Sequence, residues 1–214
     1  MRSLQKGEKW KEKGIEIRIG DYKYPESLEK SFKGVDRFYM VSSIGEANYP
    51  RSKQHLNVIE AAKKCNVKLI VYSGFLNCQN NINIVANAHK YTEKILEESG
   101  LNYSIARNAS YIKCSDELFK YLMKKENNFF YNSCKDTKIV LALIRELDEA
   151  GACILLKKEP KKIYELSGNL ASYVDIKNVM EKITGKEIKT IDVPIEEIDN
   201  KYKELIWNVL WNDV

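Results

Sequence analysis

The segment 34–74 constrains the fold more than any other part of the chain. It contains two short apolar runs, Phe38–Val41 and Val67–Tyr72, in which polar and apolar residues do not alternate. Such runs are typical of parallel strands that are covered on both faces. Between them, three apolar residues recur at helical spacing: Leu56, Ile59 and Ala62. Parallel strands require a crossover of this length, so the segment predicts a right-handed βαβ unit.

Small residues follow each predicted strand. Ser42 and Ser43 come after the first strand, and Ser73 and Gly74 end the second. Ligands of open α/β sheets bind beyond the carboxyl ends of the strands, where small side chains leave the backbone accessible. Serine and glycine also terminate strands for purely structural reasons. Two matching strand ends in one unit favour an edge that binds a cofactor.

Strand and helix patterns alternate along the rest of the chain, which predicts an α/β fold with a mainly parallel sheet. We assign residues 1–110 to the sheet domain and residues 111–214 to a smaller α/β lobe, some of whose strands return to the sheet. The predicted strands are Ile15–Ile19, 102–106, 129–131, 163–168 and 187–194. The predicted helices are 25–34, 87–99, 118–125, 146–156, 174–184 and a final helix, 201–214, that carries Trp207 and Trp211.

Composition excludes several classes of function. Of the 214 residues, 44% are hydrophobic and 30% are charged, and no apolar run is long enough to span a bilayer. The N-terminal residues lack the apolar core of a signal peptide. The five cysteines are widely spaced without a C-x-x-C pair, which indicates a reducing cytoplasm and neither a disulfide framework nor a metal site. The net charge of +5 is dispersed among interspersed Lys and Glu, which favours a solvated surface over a nucleic-acid interface.

Several blocks of the sequence, taken in order, resemble the NmrA-like branch of the short-chain dehydrogenase/reductase superfamily, and most of all its NADPH-dependent quinone oxidoreductases. The blocks are GDYKYPESLEKSFKGVDRFYMVSS, QHLNVIEAAKKCNVKLIVYSG and HKYTEKILEESGLNYSIARNASY, followed by KIYELSG. The most specific block is SGLNYSIARN, preceded by a helix that carries His89 and Glu93. The resemblance extends from Arg2 to Pro194, which is nearly the whole chain.

The resemblance implies a Rossmann-like sheet that binds NADP(H) or NAD(H) and transfers hydride from the nicotinamide to a quinone or a similar small acceptor. It places five residues on the cofactor side: Arg2 at the 2′-phosphate, Asp21 near the adenine, and Ser42, Ser43 and Ser73 along the dinucleotide. It places three residues at the catalytic, substrate side: His89, Asn108 and Tyr111. Each has a simpler interpretation, with Arg2 a terminal charge, Asp21 a turn residue and His89 a solvated helix residue.

The chain departs from the family pattern at the phosphate-binding turn. The family begins with a strand, a Gly-x-x-Gly-x-x-Gly turn and a helix, whereas the ten glycines of this sequence are never closer than six positions apart. The amide groups and the helix end that would hold the pyrophosphate are therefore not part of it. We interpret the sequence as an N-terminally truncated Rossmann-like fold. Ile15–Ile19 is then expected to pair directly with Phe38–Val41, or both are expected to expose an unpaired edge.

The catalytic pattern leaves three hypotheses open. The Tyr-x-x-x-Lys spacing of many short-chain dehydrogenases does not occur on the helix before NYSIARN, and two histidines offer little support for a hydrolase triad. The first hypothesis is an NAD(P)H-dependent oxidoreductase with a small-molecule acceptor. The second is a non-catalytic regulator that senses dinucleotide or binds a protein partner. The third is an inactive truncated relative. The acceptor and any homo-oligomer stay open.

Overall fold

The computed structural model describes residues 2–45, 50–81, 84–112, 129–132 and 136–194. The chain divides into two compact units. The first comprises Met1–Asn108 and Glu149–Glu165, and the second comprises Ala109–Asp148 and Leu166–Val214. The segment Glu149–Glu165 of the first unit thus lies beyond residue 110, where the sequence analysis divides the chain.

The predicted βαβ unit is confirmed. Strand β1 (Arg37–Met40) and strand β2 (Leu69–Phe75) run parallel, with Met40 opposite Tyr72, and helix α3 (Arg51–Lys64) connects them. All of β2 except its last residue is buried, which explains why its sequence does not alternate. The helix ends in two lysines, whose charges are favourable beside the negative end of the helix dipole.

The sheet continues on the far side of β2. Strand β3 (Tyr103–Asn108) pairs with β2 in parallel after helix α4 (Ile84–Glu98), and strand β7 (Ile163–Leu166) pairs with β3, giving the order β1-β2-β3-β7. The backbone N–H of Ile105 donates to the carbonyl of Lys162 at 2.8 Å. The bounds of α4 and β3 agree to within a few residues with the helix predicted over 87–99 and the strand predicted over 102–106.

The core of the first unit lies on one face of this sheet. Helix α2 (Pro25–Phe32) begins with the proline that predicted it, and it packs beside α3. The buried cluster includes Leu28, Phe32, Met40, Val58, Ile59, Ala62, Ile70, Tyr72, Leu96 and Ile105. On the opposite face of β1, Tyr39 lies against Gly151 of helix α5 (Ile144–Leu156). A Cβ at Gly151 would lie 2.6 Å from the Tyr39 ring, so this close approach requires glycine.

The strand predicted at Ile15–Ile19 is wrong. These residues form no strand, although apolar and charged residues alternate in their sequence. The side chains of Ile15 and Ile19 are 49% and 40% exposed, so they are not covered as in a packed strand. Of the two expected outcomes, direct pairing with β1 does not occur, and β1 instead has the unpaired edge, since it lies at the edge of the sheet in the described part of the chain. Arg18 instead donates to the carbonyl of Ser31 at 3.0 Å and to that of Lys33 at 2.7 Å. A side chain, not a backbone ladder, therefore holds this segment against the end of α2. The residues before it form a 3₁₀ turn, Gln5–Gly7, and helix α1, Glu8–Lys11.

The second unit contains a three-stranded sheet and a separate strand pair. Strand β6 (Lys138–Ala142) pairs in parallel with β4 (Ser110–Tyr111) and antiparallel with β8 (Asn169–Ser172). Strand β5 (Phe129–Asn132) pairs in parallel with β9 (Lys189–Asp192). Strands β5 and β9 were predicted from the sequence, whereas β4, β6 and β8 were not. The helices predicted at 118–125 and 201–214, with Trp207 and Trp211, lie outside the described residues.

Helix α6 (Tyr173–Thr184) of the second unit begins with a capping box. The hydroxyl of Ser172 accepts from the backbone N–H of Asp175 at 3.1 Å, and the Asp175 carboxylate accepts from the backbone N–H of Ser172 at 2.8 Å. We expect Ser172→Ala to lower the free energy of unfolding by about 1 kcal/mol, because a first-turn amide loses its acceptor. Ser172→Gly should cost only a few tenths of a kcal/mol. Urea denaturation of both variants checks this, and equal losses would contradict the capping role.

Candidate functional site

The carboxyl ends of β1, β2 and β3 lie side by side and form the candidate site. Ser42 follows β1, Ser73 lies near the end of β2, and Asn108 ends β3, directly opposite Phe75. The backbone N–H of Ser42 donates to Oγ of Ser73 at 2.8 Å. The structure therefore brings together three of the predicted residues on adjacent strands, because parallel strands end at the same edge of a sheet.

Ser43 is held by a chain of hydrogen bonds through a buried histidine. Its backbone N–H donates to Nε2 of His55 at 3.0 Å, and Nδ1 of His55 lies 2.7 Å from Oγ1 of Thr92. Because the Oγ1 hydroxyl of Thr92 donates its hydrogen to the carbonyl of Ala88 at 2.7 Å, this oxygen accepts a hydrogen bond from Nδ1–H of His55. The neutral Nδ1–H tautomer of His55 is consistent with all three of these hydrogen bonds. Burial, followed by the charge of Arg51, lowers the pKa of His55 to about 3.

His89 lies at the same edge, on α4, and is buried rather than solvated. Its ring stacks on Phe75 with 5.7 Å between centroids. Nη1 of Arg51 lies 3.3 Å from Nε2 of His89, and the hydroxyl of Tyr72 lies 2.7 Å from Nδ1. Since arginine can only donate, Nε2 is the acceptor and Nδ1 carries the proton. Burial, followed by the charge of Arg51, lowers the pKa of His89 to about 4, so the ring is neutral at physiological pH.

A buried ion pair fixes the loop that follows β2. Nε and Nη2 of Arg107 donate to the two carboxylate oxygens of Glu93 at 2.9 and 2.7 Å. Gln79 and Cys78, both in the loop, donate to the same carboxylate at 2.8 and 3.2 Å. Burial alone would raise the pKa of Glu93, but these hydrogen bonds outweigh it and lower the pKa. Arg107 also reaches Glu165 at 2.6 Å. The loop is thus fastened to α4 and β3.

The remaining predicted residues, Asp21, Arg2 and Tyr111, lie outside the hydrogen-bonded group described above. Asp21 accepts from the backbone N–H of Lys23 at 2.9 Å within a turn, and the neighbouring Tyr22 donates to the carbonyl of Val41 at 3.1 Å. That bond ties the Asp21 turn to the end of β1. Arg2 is exposed in coil near the start of the chain. Tyr111 belongs to the second unit, where it ends β4 opposite Ala142 of β6.

The residues that organise this edge were not predicted from the sequence. Arg51, His55, Tyr72 and Thr92 connect β2, α3 and α4, yet none of them was assigned a role. One signal was available for Arg51. A cation in the first turn of a helix opposes the helix dipole, and the first turn of α3 has no acidic residue to offset it. The roles of the other three depend on contacts between distant parts of the chain, which no local pattern reveals.

Two kinds of feature are absent from the part of the chain that the structure describes. It contains no group of three or more His, Cys, Asp or Glu side chains that could hold a metal ion. None of its helices is both long enough and apolar enough to cross a membrane.

The fold and the edge together define a Rossmann-type α/β fold, and comparison with known proteins identifies the family. Residues 2–210 match the NmrA-like family. The chain is 31% identical over 179 residues to quinone oxidoreductase 2 of Escherichia coli strain K12, an alignment that covers 82% of this chain and 60% of that protein. The chain therefore belongs to the NmrA-like family.

Solved structures agree with this assignment. Triphenylmethane reductase from Citrobacter sp., complexed with NADP(H), superposes with a TM-score of 0.85 at 27% identity, over 95% of this chain and 72% of that one. The NADPH-dependent quinone oxidoreductase of Escherichia coli, complexed with NADPH, gives a TM-score of 0.85 at 27% identity, over 95% and 71% of the two chains. In the sequence comparison, the present chain spans about three fifths of the length of quinone oxidoreductase 2.

Proposed function

We propose that this protein is an NAD(P)H-dependent oxidoreductase of the quinone reductase type, acting on a quinone or a similar small acceptor. The observation that carries the proposal is the edge at which Ser42, Ser73 and Asn108 lie at or near the carboxyl ends of three adjacent parallel strands. Dinucleotides bind at this edge of open α/β sheets. The NADP(H)-complexed neighbours support the same choice of cofactor.

The residues at the edge fit the nicotinamide half of a dinucleotide. Ser42, Ser43 and Ser73 have small side chains, so a ligand can approach the backbone. Oγ of Ser43 is shielded from solvent and has no hydrogen-bond partner among the described residues, which makes it a candidate to bind a ligand hydroxyl or amide after a small rotation. We assign Asp21 to the adenine side and Arg2 to the 2′-phosphate. A glycine-rich turn for the pyrophosphate is not among the 214 residues.

The chemistry supplied by a bound nicotinamide is hydride transfer, and the protein contributes orientation. His89 is neutral and both of its ring nitrogens are hydrogen-bonded. Its ring therefore forms a fixed polar surface beside the ligand and does not serve as a strong acid. Phe75, stacked on His89, offers a flat apolar surface to a planar acceptor. The proton that completes reduction of the acceptor oxygen then comes from water. Asn108 and Tyr111 stay proposed substrate-side residues.

The neutral, fully engaged state of His89 also favours a second candidate, a non-catalytic regulator that senses dinucleotide. The two candidates differ in turnover. An oxidoreductase consumes NADPH when a quinone is added, whereas a sensor binds NADPH and leaves it intact. Failure to bind any dinucleotide would favour the inactive relative.

Titration of residues 1–214 with NADPH tests the proposal, and Ser73→Ala sharpens it. We expect the wild-type chain to bind NADPH and Ser73→Ala to bind it about 10-fold more weakly, because Ser42 loses the acceptor that fixes its backbone. Ser99→Ala is the matched control, since its buried hydroxyl also accepts a backbone N–H, at 3.1 Å, but near the end of α4. Equal weakening by the two variants, or no NADPH binding by the wild type, would contradict the proposal.

A further inference from the structure

Arg51 is a half-buried cation whose charge is not matched by a nearby carboxylate of the described residues. Among the described residues, no Asp or Glu oxygen lies within ion-pair distance of it. Its guanidinium has five N–H donors, and one of them is used within the described part of the chain, on Nε2 of His89. Arg107, at the end of β3, is instead paired with Glu93 and Glu165. Removing a guanidinium from water costs free energy unless an anion pairs with it. We therefore expect Arg51 to bind a negatively charged partner.

The groups around Arg51 that the structure describes supply no negative charge. His55 and His89 are both neutral, and burial raises the pKa of Tyr72, so its phenol stays protonated. The stability of α3 does not explain the residue either, because a cation in the first turn opposes the helix dipole. Arg51 is nevertheless oriented, since one of its N–H groups is held by a histidine that Tyr72 holds in turn.

We propose that Arg51 binds an oxyanion of the ligand at the carboxyl edge of the sheet. A guanidinium recognises phosphate or carboxylate oxygens in pairs, and the remaining donors of Arg51 have no hydrogen-bond partner among the described residues. Within the proposed function, on which this inference rests, the oxyanion is either a phosphate of the dinucleotide or an anionic oxygen of the acceptor. His89 acts as a positioning residue that sets the direction of the guanidinium.

The two histidines of the chain provide a direct measurement. In protein with isotopically labelled histidine, NMR should show two imidazole signals, and titration with inorganic pyrophosphate should shift the His89 signal in a saturable manner. Since Arg51 lowers the pKa of His89, a bound anion should also raise that pKa. Arg51→Met should abolish the shift, and Arg51→Lys should retain part of it. Lys53→Met is the matched control, because it removes the same charge from an exposed residue two positions away.

NADPH and quinone then distinguish the two sources of the oxyanion. If the dinucleotide supplies it, Arg51→Met should weaken NADPH binding about 10- to 100-fold. If the acceptor supplies it, NADPH binding should be retained while KM for the quinone rises. The inference is overturned if pyrophosphate produces no saturable His89 shift, or produces the same shift in Arg51→Met. NADPH binding without a pyrophosphate response would overturn the inference alone, whereas a pyrophosphate response without NADPH binding would overturn the proposed function alone.

Discussion

Replacing Arg107 with alanine is expected to lower the free energy of unfolding by about 3–5 kcal/mol. The side chains of Arg107 and Glu93 are only 12% and 6% exposed, and two hydrogen bonds join them. The substitution leaves the Glu93 carboxylate buried with neutral donors only, from Gln79 and Cys78. Urea denaturation followed by circular dichroism measures the loss, and the loop after β2 should become the first segment to exchange its amide hydrogens.

An exposed ion pair supplies the control for this prediction. Lys68 and Asp36 are 2.7 Å apart, but their side chains are 75% and 68% exposed. Lys68→Ala should therefore cost at most about 1 kcal/mol. The double variant Glu93→Leu/Arg107→Met should recover much of the stability lost in Arg107→Ala, because it removes the isolated buried charge. A loss in Arg107→Ala no greater than that in Lys68→Ala would contradict the assigned burial.

Acidification from about pH 7 to about pH 5 is expected to destabilise the protein by roughly 4 kcal/mol through its two histidines. The folded-state pKa values are about 3 for His55 and about 4 for His89, below the usual value of 6.5. Protons therefore bind the unfolded chain first, and stability is lost as the pH falls below 6.5 until the folded-state values are reached. Each histidine contributes roughly 2 kcal/mol over this interval.

Variants that cannot titrate test the sign and the source of this effect. His55→Gln and His89→Gln should each remove about half of the pH dependence between pH 7 and pH 5, whatever their cost at pH 7. Glu93 contributes little in this interval, because its lowered pKa makes it lose stabilisation only in more acidic solution. Chemical denaturation at several pH values gives the slope. A stability that is unchanged or higher at pH 5 would show that the histidines are not buried in neutral form.

Local patterns were sufficient where an element is buried along its whole length or closed by a strong signal. The uninterrupted apolar run of β2, the proline at the start of α2 and the helical spacing in α3 all predicted the observed elements. Local patterns failed at Ile15–Ile19, where an alternating sequence suited a strand but no neighbouring strand is paired with it. A strand requires a partner, and the sequence of the strand alone does not provide one.

The candidate site shows the same division. Small residues after two strands were enough to predict that Ser42, Ser43 and Ser73 share an edge, because parallel strands end together. The protonation states of that edge could not be predicted in this way. His89 resembled a solvated helix residue in the sequence, but Tyr72 and Arg51 contact it from different elements. Burial, followed by the charge of Arg51, lowers its pKa and keeps the ring neutral.

By itself, the sequence determined the α/β class, the central βαβ unit and the family, because burial on both faces and the order of the blocks leave marks along the chain. Only the tertiary structure decided which charges are matched. Arg107 forms ion pairs with Glu93 and Glu165, whereas Arg51 lies beside two neutral histidines. The physical reason is that hydrophobic patterning is local and periodic, while the energy of a buried charge depends on the few groups that the folded chain places within a few ångströms of it.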